Sequence, residues 1–148
     1  MFCFCSIVVD SQLLPIDLVQ QLENLIGHDV DRCEWSLLFR ATRDGFNNRV
    51  FHQLCDNKGP TVSVARVKNG PLVGGYTKVS WLSSGGYKSD ITAFIFNNLH
   101  NGQIKKFAIR SPSIANRAVF HDSKGPSFGY CDLALLYYTD NNYSSGYI

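Results

Sequence analysis

The sequence predicts an α+β fold in which strands dominate, with two antiparallel sheets packed as a β-sandwich and flanked by two helices. Three observations support this class. Glycine occurs 12 times and aromatic side chains make up 13% of the residues, a composition that favours strands joined by tight turns. Short β-prone segments recur between turn signals from residue 61 onwards. Helical periodicity is confined to the first third of the chain.

The first elements are a strand and a helix. Residues 2–9 are β-prone and predict a buried first strand. Residues 11–26 predict a helix, because apolar residues recur at helical spacing and Pro15 suits the first turn. Gly27 is expected to end this helix. A strand is then predicted at residues 35–41.

A second, shorter helix is predicted at residues 46–54, after a turn at residues 43–45. Asn47 or Asp44 can cap its N-terminus, because both side chains accept hydrogen bonds from helical N–H groups. The turn-forming residues 56–60 are expected to end it.

The rest of the chain predicts strands only, separated by turns that include a flexible loop at residues 83–86 and a turn at residues 125–129. No linker or repeat divides the sequence, so we expect one domain over residues 1–148. The predicted strands lie at residues 61–67, 72–77, 91–96, 106–109, 118–121 and 133–138.

Charge and cysteine content exclude several classes of protein. Lysine and arginine number 14 against 12 aspartate and glutamate, a balance too even for a nucleic-acid-binding surface. The five cysteines are odd in number and irregularly spaced, which argues against a secreted disulfide framework and against a zinc site. No apolar stretch approaches the ~18 residues of a membrane span. We therefore expect a cytoplasmic protein with no metal, no cofactor and no nucleic-acid partner.

Two strings match catalytic motifs without their structural context. Residues 74–77 have the glycines of a phosphate loop but no following helix, so a bulge or a close approach of two backbones is expected. Residues 125–129 read Gly-Pro-Ser-Phe-Gly, but no strand–turn–helix pattern surrounds them and no triad histidine follows. We expect no catalytic residue and no enzymatic activity.

One nucleophile remains open. Cys55 lies three residues after His52, and residues three apart share a helical face. An activated thiolate needs such a positive neighbour together with access to solvent. The alternative is that Cys55 packs as a small apolar residue beside Phe51.

The segment from Trp35 to Phe46 resembles the start of the TLDc domain. Further matching elements follow in the family's order and extend the resemblance from about residue 10 to residue 148. They are Phe51-His52, residues 55–61, residues 74–77, Ser80-Trp81, residues 125–129 and Asp132-Leu133. The resemblance implies a β-sandwich flanked by helices, a link to protection from oxidative stress, and, as in several TLDc proteins, binding to the vacuolar-type proton-pumping ATPase.

The matching positions are expected to be structural. Gly45 and Gly59 fit sharp turns at the two ends of the second helix, and Phe46 and Phe51 are expected to bury that helix on the sheet. Trp81 is expected to be a large core anchor. The full set is Trp35, Gly45, Phe46, Phe51, Gly59, Pro60, Gly74, Gly75, Tyr76, Trp81, Gly125, Pro126, Phe128, Gly129 and Asp132.

The C-terminus departs from the family pattern. Family members add a closing strand with an acidic-aliphatic-aromatic ending, whereas this chain stops at residues 144–148. We therefore expect that strand to be missing and a sheet edge to be exposed.

Three functions are open at this point. The first is a non-enzymatic interaction domain in oxidative-stress protection that binds the vacuolar-type ATPase, with charged turn residues as contacts. Those contacts are Arg40, Arg43, Asp44 and Lys58. The second is a thiol antioxidant that uses Cys55 and His52. The third is a sandwich that binds a small ligand or glycan through aromatic and Asn-rich loops such as residues 141–143.

Overall fold

The computed structural model describes residues 2–4, 13–27, 35–68, 70–108, 112–121, 124–130 and 132–135. This part of the chain forms two antiparallel sheets, three α-helices and one 3-10 helix. The predicted α+β class and the two-sheet sandwich are confirmed. The prediction of two helices was one too few, because a short third helix precedes the second predicted one.

The helices are α1 (Ile16–Ile26), α2 (Ala41–Asp44), α3 (Asn48–Cys55) and the 3-10 helix (Pro112–Arg117). The strands are β1 (Phe2–Phe4), β2 (Trp35–Leu37), β3 (Thr61–Arg66), β4 (Leu72–Thr77), β5 (Gly86–Lys88), β6 (Phe94–His100), β7 (Gln103–Ala108), β8 (Val119–His121), β9 (Ser127–Phe128) and β10 (Leu133–Ala134).

The larger sheet has six strands in the order β2-β1-β3-β4-β6-β7, and the smaller has four in the order β10-β9-β8-β5. β3 and β4 form a hairpin that runs in unbroken register from Thr61 opposite Thr77 to Arg66 opposite Leu72. β5 leaves this sheet and pairs with β8, so the chain passes to the small sheet before returning at β6. These crossings bring the two sheets together as a sandwich.

Two apolar clusters stabilise the fold. The first lies between α1 and the large sheet, where Leu18 and Leu22 pack with Val62, Tyr76 and Phe94. α1 turns its apolar stripe to the sheet, as helical spacing of its leucines requires. The contact is fixed at its edge by Trp35 Nε1, which donates to Glu23 Oε1 at 2.8 Å.

The second cluster joins both sheets to α3. Phe51 and Trp81 pack with Val119 and Phe128 of the small sheet and with Ile95 of the large one. The Trp81 ring meets the Phe128 ring edge-on at a centroid distance of 5.5 Å, a favourable geometry for aromatic pairs. Trp81 Nε1 donates to Thr61 Oγ1 at 2.9 Å, so the buried indole N–H is satisfied.

Gly74 and Gly75 lie inside β4, where the structure shows close approach without a bulge. A Cβ on Gly74 would come 2.5 Å from the Phe96 ring, and one on Gly75 would come 2.6 Å from the Phe128 ring. Only a residue without a side chain lets both phenylalanine rings lie flat on the strand. The glycines therefore serve packing on both faces of the large sheet.

Several predicted boundaries were wrong. The strand predicted at residues 35–41 ends at Leu37, because Ala41 begins α2. The strand predicted at residues 91–96 begins only at Phe94, because Asp90 organises the preceding turn: its carboxylate accepts from the N–H of Thr92 at 2.9 Å. A side chain that binds the backbone locally competes with strand pairing.

Other differences concern strands that were not predicted because their residues are typical of turns. Residues 83–86 and 125–129 were expected to be loops, but β5 begins at Gly86 and β9 occupies Ser127–Phe128. β7 begins at Gln103, three residues before the predicted start. The predicted ends of the first strand and of the last strand, and the expected loss of a closing strand at residues 144–148, lie outside the described residues.

Candidate functional site

Helices α2 and α3 meet at a corner that their own capping groups hold in place. The Arg40 N–H donates to Asp44 Oδ2 at 2.8 Å, so the last residue of α2 caps the first turn. Gly45 ends α2 with φ 89°, a conformation that side chains disfavour. The Asn47 side chain accepts from the Arg49 N–H at 2.8 Å and starts α3, as predicted. The corner is therefore locally determined and presents its outward side chains in fixed positions.

The predicted contacts Arg43 and Asp44 bind each other. Arg43 Nε lies 2.6 Å from Asp44 Oδ1 and Nη2 lies 2.9 Å from Oδ2, a bidentate pair. This hydrogen bonding from Arg43 holds the pKa of the Asp44 carboxyl below its ordinary value. The two residues therefore form an ion pair with each other rather than presenting two separate charges.

The prediction that Phe46 buries the second helix on the sheet was wrong. It is 64% exposed and lies just before the N-cap, whereas the buried face of α3 consists of Phe51 and Cys55. Arg49 and Gln53, which are also exposed, lie one helical turn apart on the outer face of α3. We call the exposed side chains Arg43, Phe46, Arg49, Gln53 and Lys58 the α2–α3 surface.

Lys58 lies at the far end of this surface. It follows α3 in a turn where Asn57 and Gly59 both have positive φ, and the Gly59 N–H donates to Ser80 Oγ at 2.9 Å. α3 has eight residues and spans roughly 12 Å, so it separates Lys58 from the corner. The structure thus groups Arg40, Arg43 and Asp44 at one end of α3 and places Lys58 at the other.

The second candidate site, at Cys55, is closed to solvent. Cys55 is 0% exposed and packs in the cluster of Phe51 and Trp81. His52 lies one turn earlier on α3, and its Nδ1 is 2.8 Å from Asp56 Oδ1. The condition that the thiol hypothesis required, access of the sulfur to solvent, is not met in this structure.

The serine of the Gly-x-Ser-x-Gly string is a strand residue. Ser127 is buried in β9, opposite Phe120 of β8 and Ala134 of β10. A nucleophile elbow instead presents its serine at a strained strand-to-helix turn. The motif residue Phe128 completes the inter-sheet cluster, so this string serves packing.

His121 is a buried polar group that the sequence reasoning missed. It is 1% exposed, and neither ring nitrogen has a hydrogen-bond partner among the described residues. Burial lowers the pKa of His121, the charge of Lys88 adds to this effect, and Asp56 opposes it. The alternation of side chains along β8 could have predicted this burial. Val119 and His121 are two residues apart, so they share the inward face of the strand.

Neither a metal centre nor a membrane segment is found in the described ranges. No three His, Cys, Asp or Glu side chains in them are grouped so that they could bind a metal ion. No helix there is both long and apolar enough to cross a bilayer. The glycan-binding hypothesis rested on residues 141–143, which lie outside the described residues.

Comparison with known protein families identifies the family of this chain. The model of the TLDc domain matches residues 7–148, which is nearly the whole chain. A comparison with curated proteins finds no match. The structure places the motif aromatics Trp35, Phe51, Trp81 and Phe128 in the two cores, so the matching residues describe a common scaffold. TLDc proteins are generally linked to resistance against oxidative stress. This chain belongs to the TLDc domain family.

Proposed function

We propose that this chain is a non-enzymatic protein-interaction domain in oxidative-stress protection whose partner is the vacuolar-type proton-pumping ATPase. The observation that carries the proposal is Phe46, a large aromatic side chain held 64% exposed on a corner fixed by helix caps. Membership of the TLDc family supports the link to stress resistance, and the binding of several family members to this ATPase suggests the partner.

The energetics favour a protein contact at Phe46. A phenylalanine side chain offers about 200 Å² for burial. Covering the exposed 64% of it would contribute about 3 kcal/mol at ~25 cal/mol per Å². Arg49 and the Arg43–Asp44 pair lie beside it in sequence and supply the polar rim. Aromatic and arginine side chains of this kind are the residues that dominate interface energies.

The absence of catalysis is supported by the burial of the two nucleophiles that the motifs suggested. Cys55 is enclosed by aromatic rings, and Ser127 is a paired strand residue. The thiol alternative can be tested directly. We expect Cys55→Ser and the parent chain to consume peroxide at equal rates. A slower rate in the variant would support the thiol alternative.

The partner is tested by pull-down of the full chain against the detached peripheral sector of the ATPase. We expect saturable binding that Phe46→Ala weakens by about tenfold or more. Ile16→Ala is the matched control. Ile16 is a large apolar residue that is 67% exposed, but it lies on α1 and is not part of the α2–α3 surface. Binding that is absent in the parent chain, or that both variants reduce equally, would refute the proposal.

The charged contacts are tested separately. Lys58→Glu reverses an exposed charge in the turn after α3 and should weaken capture of the ATPase sector. Arg43→Gln is preferable to charge reversal, since a glutamate at that position would repel the adjacent Asp44 carboxylate. Thermal unfolding of each variant shows that the fold is retained. Unchanged binding by both variants would remove these two residues from the interface.

A further inference from the structure

A groove lies beside β7, lined by residues of β6 and β7 and by residues of the small sheet. It has a volume of about 460 Å³. Its apolar floor and walls include Ile95, Phe107 and Phe128. Phe107 stands opposite Ile95 in the register of β6 and β7, so both face the small sheet. Phe107 nevertheless remains 43% exposed.

A further aromatic residue of the lining, Tyr130, belongs to a stacked pair. Tyr130 is 72% exposed and stacks on Tyr87 with ring centroids 6.0 Å apart and an interplanar angle of 13°. The Arg117 guanidinium lies 5.7 Å from the centre of the Tyr87 ring. Exposed, mutually stacked aromatic rings next to an arginine have the composition of a binding surface. They offer flat apolar area at little cost in side-chain entropy.

Two cations and one carboxylate of the described residues lie at or beside the groove. Arg117 lines it, and Lys105 Nζ lies 5.4 Å from the Phe107 ring centre on the same side of β7. Lys106 is on the other face of the strand, where its Nζ donates to the Leu25 carbonyl at 2.9 Å. Asp132 is the one carboxylate among the described lining residues. The charge is therefore complementary to an acidic partner.

Among the residues that the structure describes, β7 is the last strand in the order of the large sheet. α1 covers its beginning, where the Ile104 N–H donates to Gln21 Oε1 at 2.8 Å, whereas residues 105–108 are all exposed. Exposed edges of this kind accept an extended peptide as an added strand. A second copy of β7 would bring Lys105 and Lys106 of two chains together, and like charges in paired strands repel. Charge thus favours an acidic peptide over self-association.

We propose that this groove binds an extended acidic segment of a partner protein, which adds a strand to β7 and inserts an aromatic side chain between Phe107 and Phe128. Carboxylates beside that aromatic residue pair with Lys105 and Arg117. The inference rests on the role of the chain as an interaction domain, and it assigns a second contact distinct from the α2–α3 surface.

The test uses a fluorescein-labelled peptide, Asp-Asp-Val-Trp-Val-Asp-Asp, and fluorescence anisotropy with the full chain. Two control peptides separate the components of the proposal. Replacing the four aspartates by lysines reverses the charge, and replacing the two valines by prolines prevents strand pairing. We expect saturable binding of the acidic peptide and at least about tenfold weaker binding of both controls.

Variants of the protein locate the binding site. Phe107→Ala and Lys105→Glu should each weaken the acidic peptide by about tenfold, whereas Ile91→Ala should not, although Ile91 is also an exposed apolar residue. Equal binding of the acidic and lysine peptides would overturn the proposal. So would no saturation at about 1 mM by a chain that unfolds cooperatively. Self-association that Phe107→Ala abolishes would assign the groove to a second copy of this chain instead.

The pull-down of the ATPase sector distinguishes this inference from the proposed function. If no peptide binds but capture of the sector still depends on Phe46, the groove assignment fails and the proposed function stands. If the acidic peptide binds in a Phe107-dependent manner while the sector is not captured, the groove assignment stands and the proposed partner is wrong.

Discussion

Acidification is expected to destabilise this fold through the buried imidazole of His121. His121 is 1% exposed on β8, with its ring 5.6 Å from that of Trp81 and with both nitrogens unpartnered among the described residues. A proton on this ring would place a positive charge in a buried site where no described residue offers it a hydrogen-bond acceptor. Lys88 on β5 and His52 on α3 further disfavour that charge, and Asp56 favours it.

The sign follows from the direction of the pKa shift. Burial lowers the pKa of His121 in the folded chain below the value of about 6.5 that it has when unfolded, so the unfolded chain takes up the proton first. The contribution of His121 to stability is therefore complete above about pH 6.5 and is lost as the pH falls below it. Each pH unit between the unfolded and the folded pKa removes about 1.4 kcal/mol.

The assay is urea unfolding between about pH 7.5 and 5.5, a window above the titration of most carboxylates. Trp35 and Trp81 are both buried, so their fluorescence reports the transition. His121→Phe keeps an aromatic ring beside Trp81 and removes the titrating group. It should be as stable as the parent at neutral pH, because it removes two unpartnered nitrogens, and it should lose the acid-dependent decline.

His52→Gln is the control, because it removes a histidine whose Nδ1 already has Asp56 as a partner. It should leave most of the acid-dependent decline in place. The reasoning would be refuted if His121→Phe declined between these pH values as steeply as the parent.

Three further predictions concern the scaffold. Gly75→Ala should lower the free energy of unfolding by about 1–3 kcal/mol in urea titrations, because the new Cβ would lie 2.6 Å from the Phe128 ring; unchanged stability would show that the ring moves freely. Asn47→Ala should cost about 1 kcal/mol through loss of the α3 cap, and Asn47→Asp should restore it. Asp90→Ala should lower the melting temperature through a loss of about 1.5–3 kcal/mol, since its carboxylate accepts from Thr77 Oγ1 at 2.7 Å.

The elements that could be predicted are those whose information is local. β3 and β4 have alternating or β-branched residues between strong turn signals, and α3 has both a capping residue and a terminating turn. β5 and β9 have two or three residues in Gly- and Ser-rich surroundings, and they exist because distant strands pair with them. No local pattern encodes such pairing. The apolar residues 37–39 continue past the end of β2, so they concealed the boundary between β2 and α2.

The candidate site was predictable only in part. The capped corner around Asn47 could be predicted, because capping depends on neighbouring residues. Phe46 was assigned to the core since it is apolar, yet its position before the N-cap directs it to solvent. Phe107 lies on the last described strand of the large sheet and is 43% exposed. Whether an aromatic residue is exposed thus depends on how the layers of the fold assemble. The period-2 alternation of residues along one strand does not predict it.

The buried residues of this protein determine its fold, whereas its exposed residues are available for partner recognition. Most of the motif residues that identify the family serve packing, such as Trp81, Phe128 and Gly75, whereas the motif residue Phe46 is exposed. The packing residues fix the positions of the corner and of the β7 edge, and Phe128 also lines the groove beside that edge. The side chains available for recognition, Phe46 and Phe107, lie outside the inter-sheet cluster and can change without disturbing it. Partner specificity in this chain is therefore expected to reside in those exposed residues and the charges beside them.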